Sequence, residues 1–279
     1  KSDETLIREW VIKMLQKHRD QSTIEAVRRH TTDNRPSFTV FELASGGCLD
    51  SIAAILSGFR HCGGTEDVER VLGRQKAKLF EEITGERCYG DTKRWREWIN
   101  AISAEIDYLK SGQPCADYSS AGSQRGSGGS HGGELFIEQL EPILAIKPKV
   151  VRLEMVPSAL TVNDGAEVKM IKETLGAHYM YEVHTKVLEC WQYGDPTARQ
   201  RLFIIGLSRD HFKSIEWEWP KPFFNERAYP IARDIAVSDD KVPPSYWRHD
   251  RPSSIIRYHD PKPVTAGRIQ QLAFAGDPE

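Results

Sequence analysis

Cys115 lies directly after a proline in the segment Ser111-Gly112-Gln113-Pro114-Cys115-Ala116-Asp117-Tyr118-Ser119. Structural cysteines favour apolar neighbours, whereas this thiol sits in a polar loop flanked by glycine. Proline holds φ near about −65° and stiffens the approach to the thiol, which suits a nucleophile that must be presented accurately. A loop cysteine without a role fits the same residues, so the rest of the chain has to decide. Glu154 closes the strand-like run Val150 to Leu153 and could reach whatever the thiol attacks; a solvated strand-end carboxylate reads equally well. Arg199 and Arg201 alternate at the entrance to the apolar run Leu202 to Gly206, so both project to one side. A surface pair is the plainer reading of these two.

A second set of residues points to a ligand. The strand-like run Ser37 to Leu43 leads into Ala44-Ser45-Gly46-Gly47-Cys48 and then an apolar helix, Ile52 to Leu56. Strand, glycine turn and helix form the geometry in which a backbone can approach a nucleotide-like ligand closely. Glu66 stands 20 residues past Gly46 (66 − 46), beside Asp67, at the separation of an acid that accepts hydrogen bonds from ribose hydroxyls. Gly90-Asp91, before Thr92, ends the short strand expected from Arg87.

The elements that must position these groups follow in order. Strands are expected at 37–43, 60–64, 87–91, 106–109, 150–153, 179–188 and 202–206, with helices at 52–56, 68–84, 92–102, 135–146 and 164–175. Strands alternating with helices predict a parallel, doubly wound sheet whose ligands bind beyond the carboxyl ends of the strands. Cys115, Glu66 and Asp91 all fall at such ends. The glycine- and serine-rich run Gly122 to Gly133, between the thiol and a strong helix, reads as a mobile catalytic loop. Residues 1–36 read as a helical extension with Leu6, Trp10, Val11, Met14 and Leu15 at helical spacing. From Leu207 onward prolines, aromatics and arginines replace the α/β pattern, which predicts a separate small lobe.

Composition narrows the classes. Hydrophobic residues make up 39% and charged residues 28%, ordinary values for a globular protein. No apolar run approaches the roughly 20 residues of a membrane span. Five scattered cysteines without a CxxC pair speak against a disulfide framework or a zinc site. A net charge of −2 does not advertise a nucleic-acid binder, so such a role would rest on a local basic face. Lys1 is not preceded by Met and no terminal element closes the chain at Glu279, so a fragment of a longer protein is expected.

Taken together, the ordered pieces resemble the C5-cytosine DNA methyltransferase family over roughly residues 37–206. The matching pieces are Phe41-Glu42-Leu43-Ala44-Ser45-Gly46, Glu66, Gly90-Asp91, Gly112-Gln113-Pro114-Cys115 with Tyr118-Ser119, Glu154-Met155-Val156, and the block Tyr193 to Gly206. The resemblance implies an α/β fold, a Rossmann-like S-adenosylmethionine-dependent methyltransferase sheet with helices on both faces, plus a small irregular C-terminal lobe. It divides the chain into a helical extension (1–36), the catalytic domain (37–206) and a partial target-recognition lobe (207–279). It also implies that Leu43, Ala44, Ser45, Gly46, Gly47, Glu66, Asp67, Asp91, Thr92 and Pro114 bind S-adenosylmethionine.

The same resemblance makes Cys115 the thiolate that adds to C6 of cytosine, Glu154 the group on N3, and Arg201, with Arg199, the contact to O2. Ser119, Arg125, Arg248, Arg251 and Arg268 would touch DNA. The partner implied is double-stranded DNA carrying cytosine, with RNA as a second substrate class, and the compartment nuclear or cytoplasmic. Departures from the family pattern are Glu42 for Asp, Ala44 for the ring that packs on adenine, Cys48-Leu49 for Gly-Gly, Met155 for Asn, and Thr197 for Gln. The final Gly-Asn motif is not visible. Chemistry residues persist while cofactor-side residues drift, which favours a divergent methyltransferase over an inactive regulatory domain or a nicotinamide-dependent oxidoreductase.

Overall fold

Thr39–Leu43 (β1) is buried at all five positions, as a central strand covered on both faces must be. The structure, a computed structural model, describes residues 38–224 apart from 70, 103, 120, 121, 123, 130–132, 178, 179, 196, 198, 214 and 215. The described residues fall into two units, 38–189 with 199–222, and 190–198 with 223 and 224. In the small unit, Cys190–Tyr193 forms a short 3-10 turn whose Gln192 carbonyl accepts the Phe223 and Phe224 amides.

The large unit is built on a six-stranded sheet of β1, β2 (Arg60–Gly64), β3 (Tyr108–Gly112), β4 (Val150–Met155), β5 (Tyr181–Glu189) and β6 (Gln200–Ser208). Its order is β2-β1-β3-β4-β6-β5. The first four strands are parallel, but β6 runs antiparallel between β4 and β5. The expectation of an all-parallel sheet is corrected here. No crossover helix follows β5, and only a crossover can return a chain for parallel pairing.

Strand alternation separates two faces. One carries Phe41, Leu43, Leu109, Val151, Leu153, Met155, Leu202 and Ile204 into the main core. Phe41 stacks on Trp98 at 5.6 Å between ring centroids. Against this face pack residues of α3 (Trp95–Trp98), α4 (Leu135–Glu138), α5 (Leu140–Ile146) and α6 (Ala166–Gly176). The opposite face carries α1 (Leu49–Leu56) and α2 (Val71–Thr84), joined through Cys48, Ile55, Phe80 and Ile83. Here charge is buried: Lys110 Nζ lies 3.3 Å from Glu42 Oε2, Ser51 Oγ donates to Glu42, and Arg152 pairs with Asp50 of α1.

Several local expectations change. Arg87 to Asp91 is no strand and makes a single bridge, Cys88 to Gly64, between glycines 85 and 90 in the left-handed region. The helix expected at 135–146 breaks at Gln139, because Pro142 has no N–H for the Glu138 carbonyl. The helix expected at 92–102 is a four-residue turn between two 3-10 turns. The last strand reaches Ser208, so residues 207 and 208 belong to the sheet and not to the lobe. The expected extension at 1–36 and most of the lobe lie outside the described residues. Among the described residues no helix is long and apolar enough to cross a membrane.

Candidate active site

β3 ends at Gly112, and the chain enters the Pro114-Cys115 turn. The Cys115 carbonyl accepts the Tyr118 and Ser119 amides at 3.0 and 2.9 Å, which closes the turn behind a half-buried thiol. Tyr118 anchors it. Its ring is fully buried edge-on against Phe136, its hydroxyl donates to the Gly133 carbonyl at 3.2 Å, and the Tyr118 carbonyl accepts Ser158 Oγ. Pro114 is exposed, and Ser119 is half-buried.

The register pairs Gly112 with Glu154 across β3 and β4. A Cβ at residue 112 would lie 3.4 Å from Glu154 Oε2, so glycine leaves the carboxylate its place beside the turn. Arg201 Nε pairs with Glu154 Oε1, and Arg201 Nη1 donates to the Gln200 carbonyl at 2.7 Å. Arg199 is exposed, yet its charge acts on both Glu154 and Cys115. The structure therefore brings the four residues expected to do chemistry into one electrostatic neighbourhood.

Burial pushes the Cys115 thiol up from its ordinary range; the Glu154 charge adds to this and the Arg199 charge opposes it. Burial likewise raises the Glu154 carboxyl, against the pull of Arg152 and Arg199. The thiol therefore rests protonated at neutral pH. Alkylation of Cys115 by iodoacetamide, followed by peptide mapping against pH, is expected to show a midpoint above the about 8.5 of free cysteine. Arg199→Gln, which removes a cation that favours thiolate, moves the midpoint higher. Glu154→Gln, which removes an anion that opposes it, moves it lower. Opposite movements would overturn the assignment.

The ligand turn lies at the carboxyl edge of β1 and β2. Ala44, Gly46 and Cys48 all have left-handed φ, at 54°, 56° and 61°. The Gly46 amide donates to Glu66 Oε2 at 2.7 Å, and the Glu66 amide donates to the Gly90 carbonyl at 3.0 Å. Asp91 accepts the Lys93 amide at 2.9 Å and so caps the turn Thr92–Arg94. The turn and Glu66 are thus tied to each other and to the Gly90-Asp91 segment. Leu43 faces the core, and the Thr92 hydroxyl is held 2.7 Å from that of Thr65, so neither side chain is open to a ligand. Asp67 accepts the Glu69 amide, Ser45 is buried with its amide on the Thr65 carbonyl, and Gly47 is exposed. Sequence reasoning missed Thr65, whose hydroxyl also accepts the Ala44 amide at 3.1 Å. Its signal is its place between the end of β2 and Glu66.

The turn can be tested against a nucleoside ligand. It offers a nearly buried carboxylate, Glu66, and a helix, α1, whose first turn has no side-chain cap. Free amides at a helix start favour an anionic group, and a carboxylate favours ribose hydroxyls. The residues fit such a ligand, with Ala44 giving no ring to the base.

The glycine-rich run is pinned at two carboxylates. Asp117, fully buried, accepts the Gly133 amide at 3.0 Å, and its carbonyl accepts the Gly126 amide at 3.0 Å. Glu167 Oε1 accepts the Ser127 amide and hydroxyl at 3.2 and 3.1 Å and Asn163 Nδ2 at 2.6 Å. Gly126 has φ 59°, and a Cβ there would sit 2.5 Å from both Asn163 Nδ2 and Glu167 Oε1. The described part of this run, read from its composition as a mobile catalytic loop, is tied by hydrogen bonds to Asp117 and Glu167. Arg125 projects from it, exposed; Arg248, Arg251 and Arg268 lie outside the described residues.

Residues 38–252 match the model of the family described as C-5 cytosine-specific DNA methylase. The chain is 33% identical over 205 residues to Type II methyltransferase M.HaeII of Haemophilus aegyptius, covering 71% of this chain and 59% of that protein. It is 30% identical over 206 residues to Type II methyltransferase M.NgoBI of Neisseria gonorrhoeae, covering 72% and 60%. The chain thus spans about 60% of the length of these relatives. A crystal structure of a candidate DNA modification methyltransferase from an E. coli prophage superposes with a TM-score of 0.50 at 17% identity, over 64% of this chain and 49% of that one. That likeness is one of fold.

Proposed function

Because this chain belongs to the C-5 cytosine-specific DNA methylase family, we propose that it methylates C5 of cytosine in DNA through a covalent bond between Cys115 and C6. The observation that carries the reading is the common neighbourhood of Cys115, Glu154, Arg199 and Arg201 beside one strand end.

Cytosine C5 is a weak nucleophile, and a thiolate added at C6 makes it enamine-like. The Cys115 thiol rests protonated, so it first gives its proton to solvent water, with Arg199 favouring the thiolate that then bonds to C6. A carboxyl held above its ordinary range, as Glu154 is, shares a proton readily with ring N3 and balances the charge that the thiolate brings. Arg201 fixes that carboxyl through its ion pair and would contact O2. S-adenosylmethionine is the donor this family resemblance implies, and when bound it supplies a methyl group on a positively charged sulfur. Glu66, Asp91 and the Ala44–Gly47 turn are the residues that would hold it. Once C5 is methylated, loss of its proton and departure of the Cys115 thiolate restore the ring.

A base inside a duplex is out of reach of this thiol, so the target must be turned out, at a cost of about a few kcal/mol. Ser119 and Arg125 would face the DNA near the turn, with Arg248, Arg251 and Arg268 adding phosphate contacts.

Transfer of labelled methyl from S-adenosylmethionine is expected on cytosine-containing duplex DNA and not on structured RNA. DNA carrying 5-fluorocytosine has no C5 proton to lose and should remain bonded to Cys115 through denaturation. Donor binding without transfer or adduct would sink the proposal, and transfer to RNA alone would change the substrate.

A further inference from the structure

Gln113 leads into the Pro114-Cys115 turn, and its side chain points inward, only 4% exposed. Its Nε2 donates to Ser111 Oγ at 2.7 Å and to Gln139 Oε1 at 3.4 Å. Gln139 is fully buried in the one-residue break between α4 and α5, and its Nε2 donates to the Phe136 carbonyl at 2.8 Å. Gln113 Oε1 is buried with no partner among the described residues. Packing alone does not select these amides. Phe136, whose carbonyl Gln139 reaches, and Leu140, next to Gln139 in the chain, both belong to the main core, and an amide oxygen without a partner is a net penalty there.

The amides make sense as a hold on the turn. A residue before proline is confined to extended backbone, and proline fixes its own φ. Anchoring the Gln113 side chain therefore sets the direction in which the chain leaves Pro114 and in which Cys115 presents its sulfur. Position 155, where the family resemblance expects asparagine, holds Met155, 1% exposed and without a donor. We propose that the Gln113–Gln139 amide pair is the positioning device for the Cys115 thiol, tying the nucleophile loop to the break between α4 and α5. Both are positioning residues, since neither touches the reacting atoms. The inference rests on the reading of Cys115 as the nucleophile.

The double variant Gln113→Met with Gln139→Leu removes both amides together, including the Gln113 oxygen that lacks a partner, and takes from the Ser111 hydroxyl and the Phe136 carbonyl the donors they have here. Thermal melting of the whole chain shows that it is folded. Its Cys115 alkylation rate, mapped by peptide mass, is expected to differ from the parent by about threefold or more. Its kcat for methyl transfer falls about 10- to 100-fold, the range that misplacing a reacting group by an ångström commands, while the KM for S-adenosylmethionine stays put. Should the double variant not fold, Gln139→Met takes its place with the same expected readings, and Gln139→Glu, which keeps an acceptor for Gln113 Nε2, should restore the alkylation rate. A folded variant with parental alkylation and parental kcat overturns the inference. If the parent transfers no methyl, the alkylation rates still decide, so failure of the proposed reaction and failure of the brace are told apart.

Discussion

Replacing Cys115 with serine is expected to leave a folded protein whose methyl transfer falls on the order of 10⁴-fold or more, the range seen when a covalent nucleophile is removed. The fold is spared because the turn is closed by the Cys115 carbonyl, which receives the Tyr118 and Ser119 amides, and not by the thiol. The side chain is half-buried, and a hydroxyl fits where the sulfur sat. Activity is lost because a hydroxyl cannot offer an anion to C6. A thiol pushed up by burial still reaches the thiolate with help from Arg199, whereas serine does not titrate in that range. Labelled methyl transfer and the 5-fluorocytosine adduct read the two steps separately. A residual rate above about one-hundredth of the parent, less than about 2.7 kcal/mol of barrier, would remove Cys115 from the nucleophile's role.

The largest effect on stability is expected from Lys110. Its side chain is 2% exposed, and its charge is answered by Glu42, its register partner on β1, at 3.3 Å. Burial holds the Lys110 ammonium below its ordinary range and the Glu42 carboxyl above its own, and each charge works against the shift of the other. Lys110→Met leaves Glu42 buried and unanswered, a loss of about 3–5 kcal/mol. For a unit of this size that lowers Tm by roughly 10 °C. Adding Glu42→Gln to Lys110→Met removes the stranded charge and should recover most of the loss. The sign of the pH dependence follows from the raised Glu42 carboxyl. Below the unfolded value of about 4.3 both states are protonated and the penalty fades; above the folded value it is fully present. Melting curves of the parent, both single variants and the double variant close the cycle. A neutral Lys110→Met would show that the pair does not hold the sheet together.

What could be read from the chain was whatever is written locally. Pro114-Cys115, the Ala44–Cys48 turn and the spacing of Gly46 to Glu66 each carry their geometry within a few residues or one β-α-β repeat. The reversal of β6 was not legible, since it depends on where the chain returns after β5. The burial of Lys110, and the half-burial of Arg152, was hidden for a related reason. A charge within a strand normally marks a solvated face, and only α1, bearing Ser51 and Asp50, turns that face into an interior. Glu167 lies far along the chain from Ser127, the residue of the glycine-rich run that it holds. Pro142 did mark the broken helix, but the apolar run around it spoke louder.

The glycines between Asp117 and Glu134 have a consequence for how this sequence can vary. An added Cβ at Gly122 would run into the Ala116 carbonyl, at Gly129 into the Asp117 carboxylate, at Gly133 into the Gly126 carbonyl, and at Gly126 into Asn163 and Glu167. These obstacles are backbone carbonyls, buried carboxylates and an amide that is itself held by Glu167. Within a stretch whose composition resembles a spacer, these four glycines are therefore closed to nearly every replacement, whereas Gly128 has room for a Cβ. In a library of all single substitutions, these four positions would stand beside Phe41 among the least tolerant in the chain.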